Sequence, residues 1–140
     1  VPHCDQFVLL DRLTHAEAGT LTAEVDLDRS NIMRDSTGRV PAYVGIEYIA
    51  QTIAALAGLI RWRNGLPPRI GLLLGCHRYS SQCTHFPLGT LQVQIEQILV
   101  QAPIAVFSGD IRLNDGLLAE GEIKAIQPDD DDLERIIGRT

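Results

Sequence analysis

Pro41-Ala-Tyr-Val-Gly-Ile-Glu-Tyr-Ile-Ala-Gln-Thr-Ile-Ala-Ala-Leu-Ala-Gly-Leu-Ile-Arg61 is the stretch on which the fold turns. Proline suits a first helical turn, few turn signals interrupt the residues after it, and Asn64-Gly65-Leu66-Pro67-Pro68 stops the run. The spacing predicts one helix of about twenty residues, roughly 30 Å long at 1.5 Å per residue. Ile46, Ile49, Ala50, Ile53, Ala54, Leu56, Ala57, Leu59 and Ile60 cover every direction around it. Such a helix has to be enclosed on most sides, so a sheet wrapping it is expected. Its most apolar part, Ile53–Ile60, is far short of the roughly 20 residues of a membrane span, which predicts a buried helix and no membrane partner.

Strand patterns flank the helix on both sides. Phe7-Val-Leu-Leu-Asp-Arg-Leu-Thr-His15 reads as an apolar strand, and Leu21, Ala23, Val25 and Leu27 alternate with Thr22, Glu24, Asp26 and Asp28, giving a hairpin around Ala18-Gly19. Residues 29–40 are polar, contain glycine and read as a loop. Beyond the helix, Arg69-Ile-Gly-Leu-Leu-Leu-Gly75 has the continuous apolarity of a central strand, and Cys76 to Gly89 reads as irregular. Leu91, Val93 and Ile95 then alternate with polar residues on a strand expected to reach Val100. Ala105 to Leu113 and Leu117 to Ala125 form a second pair around the hairpin signal Asp115-Gly116. Two strands, a long buried helix and about four more strands predict an α+β domain of the hot-dog type, one helix held in the curl of a single antiparallel sheet.

The chain has 140 residues, 45 % of them hydrophobic and 21 % charged, which suits one globular domain and excludes disordered, collagen-like and coiled-coil classes. Half of its net charge of −6 comes from residues 129–140, where Asp129–Asp132 and Glu134 outnumber Arg135 and Arg139; residues 1–128 carry 13 acids against 10 bases and lack the basic excess of a nucleic-acid binder. We expect a domain over residues 1–128 and a disordered acidic tail over 129–140. Cys4, Cys76 and Cys83 cannot all pair within the chain and form no Cys-x-x-Cys, which points to a reduced, cytoplasmic protein; no signal-peptide pattern opens the sequence. The spacing of Cys76, His77, Cys83 and His85 does not suit a zinc site, so no metal is expected.

Glu47 is the anomaly in this apolar helix. A buried carboxylate costs several kcal/mol unless paired or protonated, and desolvation moves its pKa toward the range of a general acid or base; a first-turn acid also simply complements the helix dipole. Gln51 follows at i+4 on the same face, and Ala54 and Gly58 continue that side, so a slot lined by small residues suits a linear acyl chain or tight packing. His3, His15, His77 and His85 are the available imidazoles. There is no Gly-x-Ser-x-Gly, phosphate-binding loop or dinucleotide fingerprint, so no cofactor is implied.

Val1-Pro-His3 followed by Phe7-Val-Leu-Leu-Asp-Arg12, and Pro41-Ala-Tyr-Val-Gly-Ile-Glu-Tyr-Ile-Ala-Gln51 at the helix start, resemble the 3-hydroxyacyl-acyl carrier protein dehydratases, which are hot-dog proteins. Val40-Pro-Ala-Tyr-Val-Gly-Ile-Glu-Tyr-Ile-Ala-Gln51 is more similar still to the variant branch associated with aryl polyene synthesis, and the resemblance covers most of the chain. It implies a dimeric enzyme whose site is shared between protomers. Glu47 is then the helix carboxylate that acts as general acid or base, Gln51 orients it or the substrate, and the N–H groups of Ala42 and Tyr43, after Pro41, polarise the thioester carbonyl. The family pairs its Glu with a loop His, and residues 29–40 contain no histidine. His3 is the nearest replacement in the chain, a His-containing homologue could supply the group in a heterodimer, or activity is lost.

The resemblance thus implies dehydration of 3-hydroxyacyl thioesters on acyl carrier protein, by a homodimer or by a heterodimer with a dehydratase homologue. Arg61, Arg63 and Arg78 are candidates for steering the acidic carrier. The rival readings are a hot-dog thioesterase, with Glu47 activating water, and a non-catalytic subunit that shapes the site of an active dehydratase.

Overall fold

The computed structural model describes residues 9–27, 33–66, 73–101 and 103–126. Strands β1 (Arg12–Glu17) and β2 (Thr20–Asp26) precede a 3-10 turn (Ala42–Val44) that runs into helix α1 (Gly45–Arg63). Four strands follow, β3 (Leu73–Ser81), β4 (Thr90–Gln101), β5 (Ile104–Leu113) and β6 (Gly116–Ile126). They form one antiparallel sheet in the order β1-β2-β4-β5-β6-β3, and α1 packs across it, which is the hot-dog arrangement. Residues 127–140, with the expected tail, lie outside the described residues.

The inward residues of neighbouring strands stand in register. Leu21 faces Ile95, Ile95 faces Gly109, Gly109 faces Gly121, and Gly121 faces Tyr79. The two glycines make that row a trough. A Cβ on Gly109 would stand 2.6 Å from Ile49 Cγ2, so the helix sits closer here than any other residue would permit. The sheet-facing side of α1 is Tyr48, Ile49, Thr52, Ile53, Ala55 and Leu56, all buried. Each large aliphatic among them contributes roughly 1.5–3 kcal/mol by leaving water. Thr52 is satisfied within the helix, its hydroxyl donating to the Tyr48 carbonyl at 2.8 Å.

Several expectations are corrected. α1 is covered on one side only: Glu47 and Ile60 are exposed, and Ala50, Gln51, Ala54, Ala57, Gly58 and Leu59 are half-buried. Apolarity all round the helix overstated its enclosure by this one chain. The helix with its 3-10 turn, Ala42–Arg63, is long and apolar enough to cross a membrane by length and composition, and its sheet-facing side is buried.

Of the apolar stretch expected as a central strand, residues 69–72 lie outside the described residues and 73–75 open β3, which among the described residues is an edge strand paired with β6 and continues through Ser81. His77 is the bulged residue of that strand, between Cys76 paired with Ile123 and Arg78 paired with Glu122. Among the described residues the first strand begins at Arg12, after the buried Leu9, and its six residues are all exposed; Phe7 and Val8 lie outside the described residues. The hairpin turn near residue 115 is Asn114-Asp115, one residue earlier than expected. Leu113 pairs with Gly116, and both turn residues take positive φ, 50° and 71°.

Candidate active site

The helix start is assembled from three chain segments. Residues 33–42 and 82–86 are zipped together: Phe86 N donates to the Val40 carbonyl, Ala42 N donates to the Thr84 carbonyl, both at 2.9 Å, and Pro41 bridges His85. His85 Nε2 lies 2.7 Å from Asp35 Oδ2, and Asp35 Oδ1 accepts from Thr37 N at 2.9 Å and Thr37 Oγ1 at 2.5 Å. The Thr37 hydrogen bonds, with His85 second, hold the Asp35 carboxyl down at about 2. From the edge of the sheet, Tyr79 donates its hydroxyl to the Ala42 carbonyl at 2.5 Å.

Glu47 occupies the first turn of α1, on the face away from the sheet. The expected burial of this carboxylate is therefore overturned for the single chain, because the helix face that carries it is not covered by the sheet. Gln51, one turn on, accepts a hydrogen bond from Leu9 N at 3.1 Å. That bond ties Leu9 to the same helix face; His3, six residues earlier, lies outside the described residues. Ala54 and Gly58 continue the face, half-buried.

Of the residues expected to bind the thioester, Pro41 and Ala42 are buried and Tyr43 is 71 % exposed. The Ala42 N–H is committed to Thr84 and the Val44 N–H to the Pro41 carbonyl at 3.1 Å. Ala42 is thus no donor to a ligand, whereas the Tyr43 N–H meets no acceptor among the described residues.

The remaining imidazoles are dispersed. His15 pairs with Glu17 on β1 at 2.9 Å, His77 is the β3 bulge, and His85 is held by Asp35. Arg61 is buried in the last turn of α1 and Arg63 follows it, roughly 20 Å along the helix from Glu47. Arg78 is exposed, 3.7 Å from Glu122. An apolar cavity of about 50 Å³ lies between the later turns of α1 and the sheet, lined by Ile53, Leu56, Ala57, Ile60, Gln97, Ala105, Phe107 and Ala125. It is on the sheet side of the helix, and neither Ala54 nor Gly58 lines it.

The sequence reading missed Tyr79, Gly45 and the Asp35–His85 pair. Asp35-Ser-Thr37 carries a local turn signal, since an Asp side chain readily accepts from the backbone two residues on. The contacts from Tyr79 to Ala42 and from His85 to Asp35 join residues 37 and 50 positions apart, and no spacing rule reveals them.

This geometry has relatives of known structure. A chain of the dehydratase heterocomplex ApeI:P from Xenorhabdus doucetiae superposes with a TM-score of 0.83 over 98 % of this chain and 93 % of that one, at 23 % identity. The phenylacetic acid degradation protein PaaI from Thermus thermophilus matches with a TM-score of 0.60 over 86 % and 95 %, at 10 % identity. A thioesterase from Pseudomonas aeruginosa matches with a TM-score of 0.54 over 82 % and 80 %, at 8 % identity. These likenesses establish the shared hot-dog fold. No curated protein matches the chain in sequence. The family model described as ApeP-like, ApeP dehydratase, matches residues 1–138, and the chain belongs to that family of dehydratases.

Proposed function

We propose that this chain is one half of a composite dehydratase acting on 3-hydroxyacyl thioesters carried by acyl carrier protein, in aryl polyene synthesis, with Glu47 as its acid–base group. The observation that carries the reading is the placement of Glu47. It stands on an exposed helix face beside Gln51, while His15 pairs with Glu17, His77 is the β3 bulge, and His85, opposite Pro41 at the helix start, is held by Asp35. Dehydration takes a proton from C2, forms the C2–C3 double bond, and releases the C3 hydroxyl as water after it accepts a proton. One carboxylate does both transfers poorly, because an effective acid and base need opposite protonation states at the moment of reaction. A second subunit covering the open face would bring the missing group, lower the local dielectric around Glu47 and close the slot along Ala54 and Gly58. A dehydratase homologue is the partner this reading favours, in keeping with the heterocomplex that its structural relative forms. Within the chain, His3 is the other source of an imidazole, since Leu9 is tied to Gln51 and six extended residues reach about 20 Å.

The Tyr43 N–H is the donor we assign to the thioester oxygen, where negative charge develops as the C2 proton leaves. No redox group or metal enters this chemistry. Cys76 and Cys83 are free thiols, which fits the reducing cytoplasm.

The test is to incubate a 3-hydroxyoctanoyl carrier protein with the chain alone and with a His-containing dehydratase homologue, following intact mass. Loss of water in the mixture supports the composite site, and loss of water by the chain alone moves the imidazole to His3. Release of free acid and carrier thiol instead identifies a thioesterase and overturns the reading.

A further inference from the structure

Tyr79 is placed with unusual care. Its ring comes off the edge strand β3 directly opposite Gly121 on β6, where a Cβ would stand 3.1 Å from Tyr79 Cδ1 and 2.6 Å from the Arg78 carbonyl. Its hydroxyl lies where a Cβ of Gly45 would be, with Phe86 Cζ and Ile111 Cδ1 closing the same space. Glycine at both positions leaves the room that the phenol fills. From there the hydroxyl donates to the Ala42 carbonyl at 2.5 Å.

That carbonyl and the Tyr43 N–H are the two ends of one planar peptide. The Ala42 oxygen also accepts a backbone N–H at the end of the 3-10 turn, so the phenol is a second donor holding this peptide, whose Tyr43 N–H on the opposite side meets no acceptor among the described residues. A hydrogen bond to a peptide oxygen also polarises the group and makes its N–H a stronger donor. The same contact holds the first turn of α1 at Gly45, two residues before Glu47. Burial raises the Tyr79 phenol well above its ordinary range, so the donor stays protonated at any pH at which the protein works.

We propose that Tyr79 is a positioning residue of the reaction: its hydroxyl, clamped on the Ala42 carbonyl in the space left by Gly45, orients the Tyr43 N–H toward the thioester oxygen and sets the first turn that carries Glu47. The proposal rests on the dehydratase reading above and adds to it a residue outside the helix.

The test uses Tyr79→Phe, which keeps the ring and removes only the hydroxyl, assembled with the dehydratase homologue and given 3-hydroxyoctanoyl carrier protein well below the unfolding temperature. We expect kcat to fall about tenfold while KM stays within about twofold, the signature of a misaligned group and not of lost binding. The Tyr43 amide proton should move upfield in a 1H–15N spectrum as its peptide loses polarisation. Gly45→Ala displaces the hydroxyl from the other side, so it should lower kcat similarly, and the double variant should be no worse than either single one. Wild-type kcat for Tyr79→Phe, or an unmoved Tyr43 resonance, overturns the proposal. A wild-type assembly that never releases water overturns the dehydratase reading instead, and the amide shift still reports whether the clamp exists.

Discussion

Asp35 illustrates how much of this site rests on single side chains. Its carboxylate, held near 2 by Thr37 and then His85, has a folded pKa below its ordinary value of 3.8. The stability this contributes is fully present above about pH 4 and is lost as pH falls toward 2, because the unfolded chain binds the proton first. Asp35→Asn should therefore flatten the fall in stability between about pH 4 and pH 2, measured by urea unfolding across that range. An unchanged slope would mean that the Thr37 and His85 contacts are not made in solution. Glu47 is the contrasting carboxylate, exposed on the helix and with none of these local partners. It was legible in the sequence because an acid stands out in an apolar helix. Its exposure was not legible, because hydrophobic pattern reports what must be covered and not which chain covers it.

At the scale of elements, the helix, both hairpins and the strand order along the chain follow from periodicity and turn chemistry. The spatial order does not: that β3 lies at the edge beside β6 is decided by the long connections, and a run as apolar as residues 69–75 reads as central. The close approach of helix to sheet where Ile49 packs over Gly109 gives a direct packing test. Gly109→Ala should cost about 1–3 kcal/mol in denaturant unfolding, because Ile49 and the helix backbone have to lift. A cost below about 0.5 kcal/mol would show that the trough is looser than the described contact. The β5–β6 turn offers the opposite sign. Asp115 at φ 71° carries a left-handed backbone that glycine adopts without penalty, so Asp115→Gly should raise stability by about 0.5–1 kcal/mol. The hydrogen bond from Arg112 Nη1 to the residue 115 carbonyl survives that change, since it involves only the backbone of the turn.

For the whole molecule, the unfinished surfaces converge. α1 turns Glu47, Gln51, Ala54 and Gly58 away from the sheet, and Tyr43 and Leu88 are exposed, at 71 % and 60 %. A second subunit laid there would complete both the core of the helix and the chemistry of the site, which accounts for a helix more apolar than its own chain requires. The most direct test of the account is to pair Glu47→Gln, isosteric but unable to exchange a proton, with the unaltered dehydratase homologue. Intact mass of the 3-hydroxyoctanoyl carrier protein then reports water loss at matched complex concentration. The account predicts that the complex forms as well as with the wild-type chain and that the water-loss rate this chain adds over the homologue alone falls by at least about a hundredfold, the low end of what a positioned acid or base supplies. An undiminished rate from a complex that has formed would contradict it, and would leave this chain a structural partner of someone else's active site.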